Sequence, residues 1–534
     1  MISGLSNSSS FGWEEIDTYI IKLVKLEILP AHIVNISLST QEFPASWKKS
    51  KIIPLHKKED LLNPKNYRPV AIIPIFSKIL ERIVFNQMIE YIAANQLIHP
   101  NHHAYRSHHN TTTALVQLYD VWVESIQAGK LAGVCFLDMS AAFDIVDHTL
   151  LLKKLDLYGF DHKMLGWTRS YLAGRSQAVC IDGCLSKLMS VEHGVPQGSI
   201  LGPLFYTLFT NELPEAVHDH SDLNPVVQDE SSWPRYSMGC ENCGTVACYA
   251  DDTNYSCADS DPVRLTEKLS SKYMAMSDFL ISNQLKLNDD KTHLMVMTTS
   301  QKRKKMDQSA IVQIRTPTDL IDQSETEKLL GAYLHQDMKW GEHILDNKES
   351  LVSSLGSRVG ALKMISKVAT FRNRKMIADG IFMSKLVYLI PLWGGCSKFL
   401  LKSLQTLQNK AARAVTKMDW NTPTSEILKQ CGWLSVNQLS VYHTVIMAYK
   451  VIQVKSPKYL YNMFNTTYNY KTRQADSGRI RSTRTPELDL AKDSFSCRAA
   501  GLFNDLPDTV RSMKTTQSFK LAAKVWIRQD IEVV

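Results

Sequence analysis

The sequence predicts an α+β chain, and three stretches carry that prediction. Thr245-Val246-Ala247-Cys248-Tyr249 is small, β-branched and apolar, as a buried strand is, and an extended pattern resumes from Thr253 to Cys257. Val134-Cys135-Phe136-Leu137 is a second apolar strand, and it too runs into an acid, Asp138. From Ser350 on, the apolar residues fall at helical spacing.

Tyr249-Ala250-Asp251-Asp252 reads as the tip of a hairpin. Two adjacent acids repel each other unless a cation sits between them. Alone, this tetrapeptide is most simply a solvated turn. The second strand-end acid alters that balance: Asp138 brought beside Asp251 and Asp252 in one sheet would hold two divalent cations about 4 Å apart, the spacing of two-metal phosphoryl transfer.

Composition sets wide bounds. The 534 residues are long enough for several domains, and 44% hydrophobic content supplies packed cores. A formal charge of +8, from 61 Lys and Arg against 53 Asp and Glu, leans towards a polyanionic partner. Ten cysteines at irregular spacings read as reduced thiols of an intracellular protein, nuclear or cytoplasmic. Met1 to Ser10 is polar and serine-rich, so neither secretion nor a membrane is expected. The longest apolar stretch, Ile200 to Phe209, is too short to span a bilayer.

Taken in order, residues 1–42 form a helical lead-in, with Ile16, Ile20, Ile21, Leu23, Val24 and Leu26 at helical spacing and Pro30 as a break. Phe43 to Trp47 leads to a strand, Lys51 to Leu55, with Lys57 and Lys58 behind it. Asn66-Tyr67-Arg68-Pro69-Val70-Ala71-Ile72 is another basic-then-apolar strand, and Phe76 to Ile92 a helix. Two strands carrying basic residues at their loop can pinch a triphosphate. The cluster His102, His103, His108 and His109 lacks ligands at metal spacing and reads as a polar loop. Thr111 to Ile126 is a helix. After Asp138 the chain turns through Ala142-Phe143-Asp144 into a helix, with Ser140 as its N-cap. Phe143 would face a bound nucleotide or fill the core.

Gly194-Val195-Pro196-Gln197-Gly198-Ser199 defines a fixed loop, where glycine permits another backbone to approach closely. Residues 214–244 look like an insertion, and its Cys240-Glu241-Asn242-Cys243 lacks the second pair a zinc site needs. Leu265 to Leu280 is an amphipathic helix. Lys291 stands at the mouth of a strand, the basic linker Gln301 to Lys305 reads as a flexible loop or a weak nuclear address, and Lys328 to Leu334 is one more strand. Helices follow over Val368 to Ile390, broken at Pro391, over Phe399 to Met418, and over Ser435 to Val454. Lys410 and Arg413 would suit a phosphate backbone. The tail stretch with Lys471, Arg473, Arg479, Arg481 and Arg484, opposed only by Asp476, is the best candidate for a second nucleic-acid contact.

In this order the motifs resemble those of reverse transcriptases from non-LTR retrotransposons, the LINE-type elements of the Jockey and CR1 kind. The resemblance rests on Phe43-Pro44 to Lys57, Asn66-Tyr67-Arg68-Pro69, Phe136-Leu137-Asp138 with Ala142-Phe143-Asp144, Gly194 to Ser199, Tyr249 to Asp252, Leu285-Asn288-Lys291-Thr292 and Leu329-Leu330-Gly331. It implies a right-hand polymerase, with fingers and palm over 43–345, a helical thumb-like region over 346–465 and a basic C-terminal region over 466–534. It implies RNA-directed DNA synthesis with two Mg²⁺ ions, or Mn²⁺ as a substitute, on an RNA template with a DNA primer and dNTPs. By the same resemblance Asp138, Asp251 and Asp252 would hold the metals, and Lys291 would donate a proton to pyrophosphate. Lys57 and Arg68 would bind the triphosphate, Phe143 would exclude a ribose 2′-hydroxyl, and Gln197 and Gly198 would meet the templating pair. Lys410, Arg413, Arg473, Arg479 and Arg481 would contact nucleic acid.

Ala141 departs from the family's lysine, and Ala104-Tyr105-Arg106 from its Gly-Phe-Arg. No endonuclease-like stretch precedes these motifs, so a separate endonuclease or other element-encoded protein is an expected partner. A decayed or domesticated RNA-binding copy is the alternative.

Overall fold

The computed structural model describes residues 13, 28–57, 60–139, 142–217, 245–305, 311–317, 319–465 and 478–530. The expected helix over Ile16 to Leu26, the cap Ser140, the Cys240–Cys243 pair, Lys58, Lys471 and Arg473 lie outside them. The chain divides into two compact units that interleave in sequence. The first is Met1–Tyr105, Leu137–Asn254 and Ser271–Thr292; the second is Arg106–Phe136, Tyr255–Ser270 and His293–Val534.

In the first unit, α1 (Ile28–Thr40) runs through Pro30. Pro30 stands in its first turn, where proline forfeits only an N–H that has no intrahelical partner. β1 (Lys49–His56) pairs antiparallel with β2 (Tyr67–Ile72) and parallel with β4 (Arg175–Ile181). The β1–β4 pairing covers Lys49 to Ile52 only, so no β4 partner asks Pro54 for a donor. The short β5 (Cys184–Leu185) and β6 (Met189–Val191) complete this sheet against β4.

The same unit holds four helices, α2 (Ile75–Ala94), α4 (His148–Leu157), α5 (His162–Leu172) and α6 (Gly202–Phe209). Their core is aromatic. Trp167, Tyr171, Phe205, Tyr206 and Phe209 are fully buried, and Phe43 meets Trp167 and Tyr171 edge to face. The cap of α4 is Asp147, whose carboxylate accepts the Leu150 N–H at 2.7 Å. Ala142 to Asp144 is a turn, so the helix starts later than its sequence suggests.

The histidine cluster is a loop, but part of it is buried. His102 and His103 are 3% and 1% exposed, and the His103 N–H donates to the Cys248 carbonyl at 2.9 Å. Polarity in the sequence did not mean exposure: the His102 ring meets the Thr210 carbonyl through Nε2 at 3.2 Å inside the core.

In the second unit, β3 (Leu131–Leu137) is buried at every position and pairs antiparallel with β9 (His293–Met297). Gly133 lets β3 lie against α7 (Pro262–Ser282), since a Cβ there would stand 2.7 Å from Leu269 Cδ1. The strands β8 (Asp252–Asp259), β3 and β9 hydrogen-bond in that order, and β7 (Thr245–Tyr249) belongs to the first unit. α3 (Thr111–Gln127) carries a capping box at Asn110, and its Tyr119 hydroxyl donates to the Met338 carbonyl.

Two expectations fail in this unit. Lys328 to Leu334 is a hairpin of β10 (Thr326–Leu329) and β11 (Ala332–His335), turning at Leu330 and Gly331 with φ of +47° and +82°. Two central residues of positive φ make the tight turn that matches strand twist. Gln301 to Lys305 forms a short helix, α8 (Ser300–Lys305), because Arg303 pairs with Asp337 at 3.2 Å. The helices α9 (Leu351–Ile365), α10 (Phe371–Ala378), α11 (Lys398–Thr416), α12 (Thr424–Cys431), α13 (Val436–Val454), α14 (Phe495–Asp505) and α15 (Thr516–Asp530) follow. The stretch before Pro391 breaks at Leu389, with φ of +58°, and Pro391 opens a short helix. All eight described cysteines are free. Among the described residues no helix is long and apolar enough to cross a membrane.

Candidate active site

The acids come together at strand ends of the first unit. β7 and β8 form the expected hairpin, and Ala250 at its corner has φ of +57°. Asp251 follows it, and Asp252 opens β8. Asp138 is the residue after β3, and its carbonyl accepts the Asn288 N–H at 2.9 Å while Met139 bridges to Leu287. These backbone ties position the acid without using its carboxylate.

Asp252 reports the convergence. Its carboxyl is pushed up to about 6, first by desolvation and then by the charges of Asp251 and Asp138, with the Arg68 guanidinium pulling the other way. Three acids and one arginine that lie far apart in sequence therefore share one electrostatic field. Tyr105, also of positive φ, faces the same acids: burial and then Asp251 raise its phenol. Lys291 reaches Asp138, Nζ to Oδ2 at 3.9 Å, with both side chains largely open to solvent.

Among the described residues no group of three or more His, Cys, Asp or Glu side chains makes a ready metal cage. The expected ligands Asp138, Asp251 and Asp252 thus do not close around an ion by themselves. Magnesium is commonly bound by one or two carboxylates together with water and substrate phosphate oxygens. An all-oxygen, acidic, mutually repelling donor set fits such an ion.

The glycine loop is tied to the turn that follows Asp138. The Val195 N–H donates to the Phe143 carbonyl at 2.8 Å, and the Gln197 carbonyl accepts the Ala71 N–H of β2 at 2.7 Å. Gly194 and Gly198 have φ of +81° and +118°. A Cβ on Gly194 would lie 2.5 Å from the Asp144 carbonyl oxygen, and one on Gly198 would lie 2.7 Å from that of Ala71. Both positions therefore need glycine on two counts. The Phe143 ring tilts over Tyr206 at 4.6 Å between centroids, and the Tyr206 hydroxyl donates to Met139 Sδ.

Asp144 is a participant that sequence reasoning quoted but gave no role. The Gln197 amide donates to both of its carboxylate oxygens, at 2.9 and 2.8 Å. Burial raises its carboxyl, while Gln197 and the charge of Lys57 hold it down. Its signal was an acid directly after Phe143, on the same turn. Lys57 and Arg68 are both exposed, on the two arms of the β1–β2 hairpin.

The basic residues of the second unit divide differently. Lys410 is exposed on α11. Arg413 instead donates to the Trp420 and Thr422 carbonyls at 3.1 and 3.3 Å, closing the loop after that helix. Arg479 and Arg481 are exposed. Arg484 meets Glu124 at 2.5 Å and Asp120 at 3.4 Å, so the tail does have compensating acids, supplied by α3.

Residues 55–334 match the family described as reverse transcriptase (RNA-dependent DNA polymerase). The chain is 24% identical over 80% of its length to the RNA-directed DNA polymerase from mobile element jockey of Drosophila funebris, covering 44% of that protein. It is 26% identical over 73% of its length to the probable RNA-directed DNA polymerase from transposon X-element of Drosophila melanogaster, covering 40% of it. It thus spans about two-fifths of the length of the curated relatives it matches. Among solved structures, telomerase from Candida albicans with a fragment of telomeric RNA aligns over 85% of this chain and 72% of that one, at 12% identity and a TM-score of 0.40. With more than half of its length matching the family and its motifs in the family's order, the chain belongs to the reverse transcriptases, and its relatives are those of jockey-type non-LTR retrotransposons.

Proposed function

We propose that the chain catalyses RNA-directed DNA synthesis, joining a deoxynucleotide to a primer 3′-hydroxyl on an RNA template. The observation that carries this reading is the single field shared by Asp138, Asp251, Asp252 and Arg68. Asp138, Asp251 and Asp252 would hold two Mg²⁺ ions, which supply a more acidic primer hydroxyl and a neutralised triphosphate. Arg68, with Lys57 across the hairpin, binds the triphosphate oxygens. Phe143, backed by Tyr206, occupies the space a ribose 2′-hydroxyl would need. Gln197 and Gly198 form the corner on which the templating pair rests. Lys291, beside Asp138, is placed to give a proton to departing pyrophosphate.

On this reading residues 43–345 are the fingers and palm, and 346–465 are thumb-like, with Lys410 among the phosphate contacts. Primer extension of oligo(dT) on poly(rA) with dTTP and Mg²⁺ tests the proposal. The expected result is extension that chelation abolishes. RNA binding without extension would leave the decayed, RNA-binding reading in its place.

A further inference from the structure

A buried acid stands behind the glycine loop and touches nothing in the proposed chemistry. Glu81 interrupts the apolar face of α2 between Leu80 and Val84, and all three are completely buried. A carboxylate in that position carries a large desolvation cost unless its oxygens are satisfied. They are: the Ser77 hydroxyl donates to Oε1 at 2.8 Å, and the Ile200 N–H donates to Oε2 at 2.7 Å, with the Leu201 N–H behind it at 3.4 Å. Arg175, itself 3% exposed and stacked on Tyr171 at 4.9 Å, supplies the opposing charge.

These donors sit at the entry to α6, where backbone N–H groups have no intrahelical partner. The next turn closes on itself, because Ser199 Oγ accepts the Gly202 N–H at 2.9 Å. Upstream, the same loop reaches Phe143, Asp144 and Ala71 through Val195 and Gln197. Between Gln197 and Ile200 lies Gly198, the residue best able to swing. The loop's site-facing corner is thus tied at one end to the nucleotide-side residues and at the other to Glu81.

We propose that Glu81 is a positioning residue for the incoming deoxynucleotide: by accepting the Ile200 and Leu201 N–H groups it sets the Gln197–Gly198 corner against β2 and Phe143. The inference rests on the polymerase reading of the site and names a residue on which its nucleotide side depends. Loss of the acceptor frees the corner, and a small misplacement there weakens the nucleotide's fit more than the chemistry or the grip on the duplex.

The test is steady-state extension of poly(rA)/oligo(dT) by the full chain, varying dTTP. For Glu81→Ala the KM for dTTP rises about tenfold, kcat changes less than about threefold and template–primer affinity is unchanged. Glu81→Gln keeps an acceptor for Ile200 and returns KM to within about twofold of the parent. A KM that does not move, a fall in duplex affinity of equal size, or a Gln variant as poor as the Ala variant would overturn the proposal. If Glu81→Ala does not fold, Ser77→Ala gives a smaller rise in the same parameter, and no rise would overturn it. Should the parent chain extend no primer at all, the polymerase reading fails separately. Hydrogen exchange then decides the anchor: the Ile200 and Leu201 amides exchange at least about tenfold faster in Ser77→Ala or Glu81→Ala, and unchanged protection refutes it.

Discussion

Asp252 in the first unit and Asp120 in the second are both pushed up to about 6, for different reasons. At Asp120 burial dominates, and the neighbours that ease it are Ser496 and Arg484, although neither closes a full hydrogen bond on its oxygens. At Asp252 burial is followed by two further acids, and only Arg68 opposes them. One carboxylate is matched from within the chain; the other is surrounded by more of its own charge. A raised carboxyl therefore does not mark a functional site by itself. What separates the two is whether the charges the chain sets around the acid are mainly opposite to it or mainly its own.

The largest effect expected from this contrast is at the acid pair. Asp251→Asn lowers kcat for primer extension at least about a thousandfold, about 4 kcal/mol of barrier, while template–primer affinity stays within about twofold. Fluorescence anisotropy of a labelled duplex measures the second quantity, and an equal loss in both would break the comparison by making Asp251 a binding residue only.

At the matched acid, Arg484→Ala leaves Asp120 buried without its cation and destabilises the fold by about 3 kcal/mol at neutral pH. The sign with pH follows from the raised carboxyl. Asp120 is protonated in the folded protein below about 6, so this cost is small at pH 5 and grows as pH rises through that value. Melting curves of the variant at pH 5 and 8 check this, and a loss independent of pH would mean that packing of the arginine stem, not its charge, matters.

A smaller change is expected at the sugar side. Phe143→Val widens the space beside Tyr206 and raises ribonucleotide incorporation about tenfold relative to deoxynucleotide. Competing rTTP against dTTP in the extension assay reads it directly. An unmoved ratio removes the steric role.

The mildest effect is the linkage of protons to metal. On the proposed metal reading, Asp252 holds its proton up to about 6, so Mg²⁺ would have to displace that proton at lower pH. Affinity of the free chain for the ion then falls up to tenfold per pH unit below about 6 and levels off above 7, and Asp252→Asn flattens the profile. Calorimetric titration at several pH values would sharpen the contrast with Asp120, whose titration leaves metal affinity unchanged.

Much of the site was legible in the chain. The β7 pattern ends where an acid pair must turn, and β3 ends one residue before Asp138, because buried strands demand apolar side chains and a polar residue marks where burial stops. The glycines of the loop were equally legible as close-approach positions. Less could be read where one local signal competes with another. Leu330 hid a hairpin corner inside an apolar run.

The sequence by itself determined the strands, the acids at their ends and the helical region after Ser350, since each follows from side-chain periodicity along a few residues. Tertiary structure alone decided that Gln197 would hold Asp144, that Glu81 would receive the Ile200 N–H, and that Arg484 would find Asp120. Those pairings join residues 53, 119 and 364 positions apart. A charge or amide carries no record in its own neighbourhood of the partner that folding will bring to it, and burial makes finding that partner obligatory.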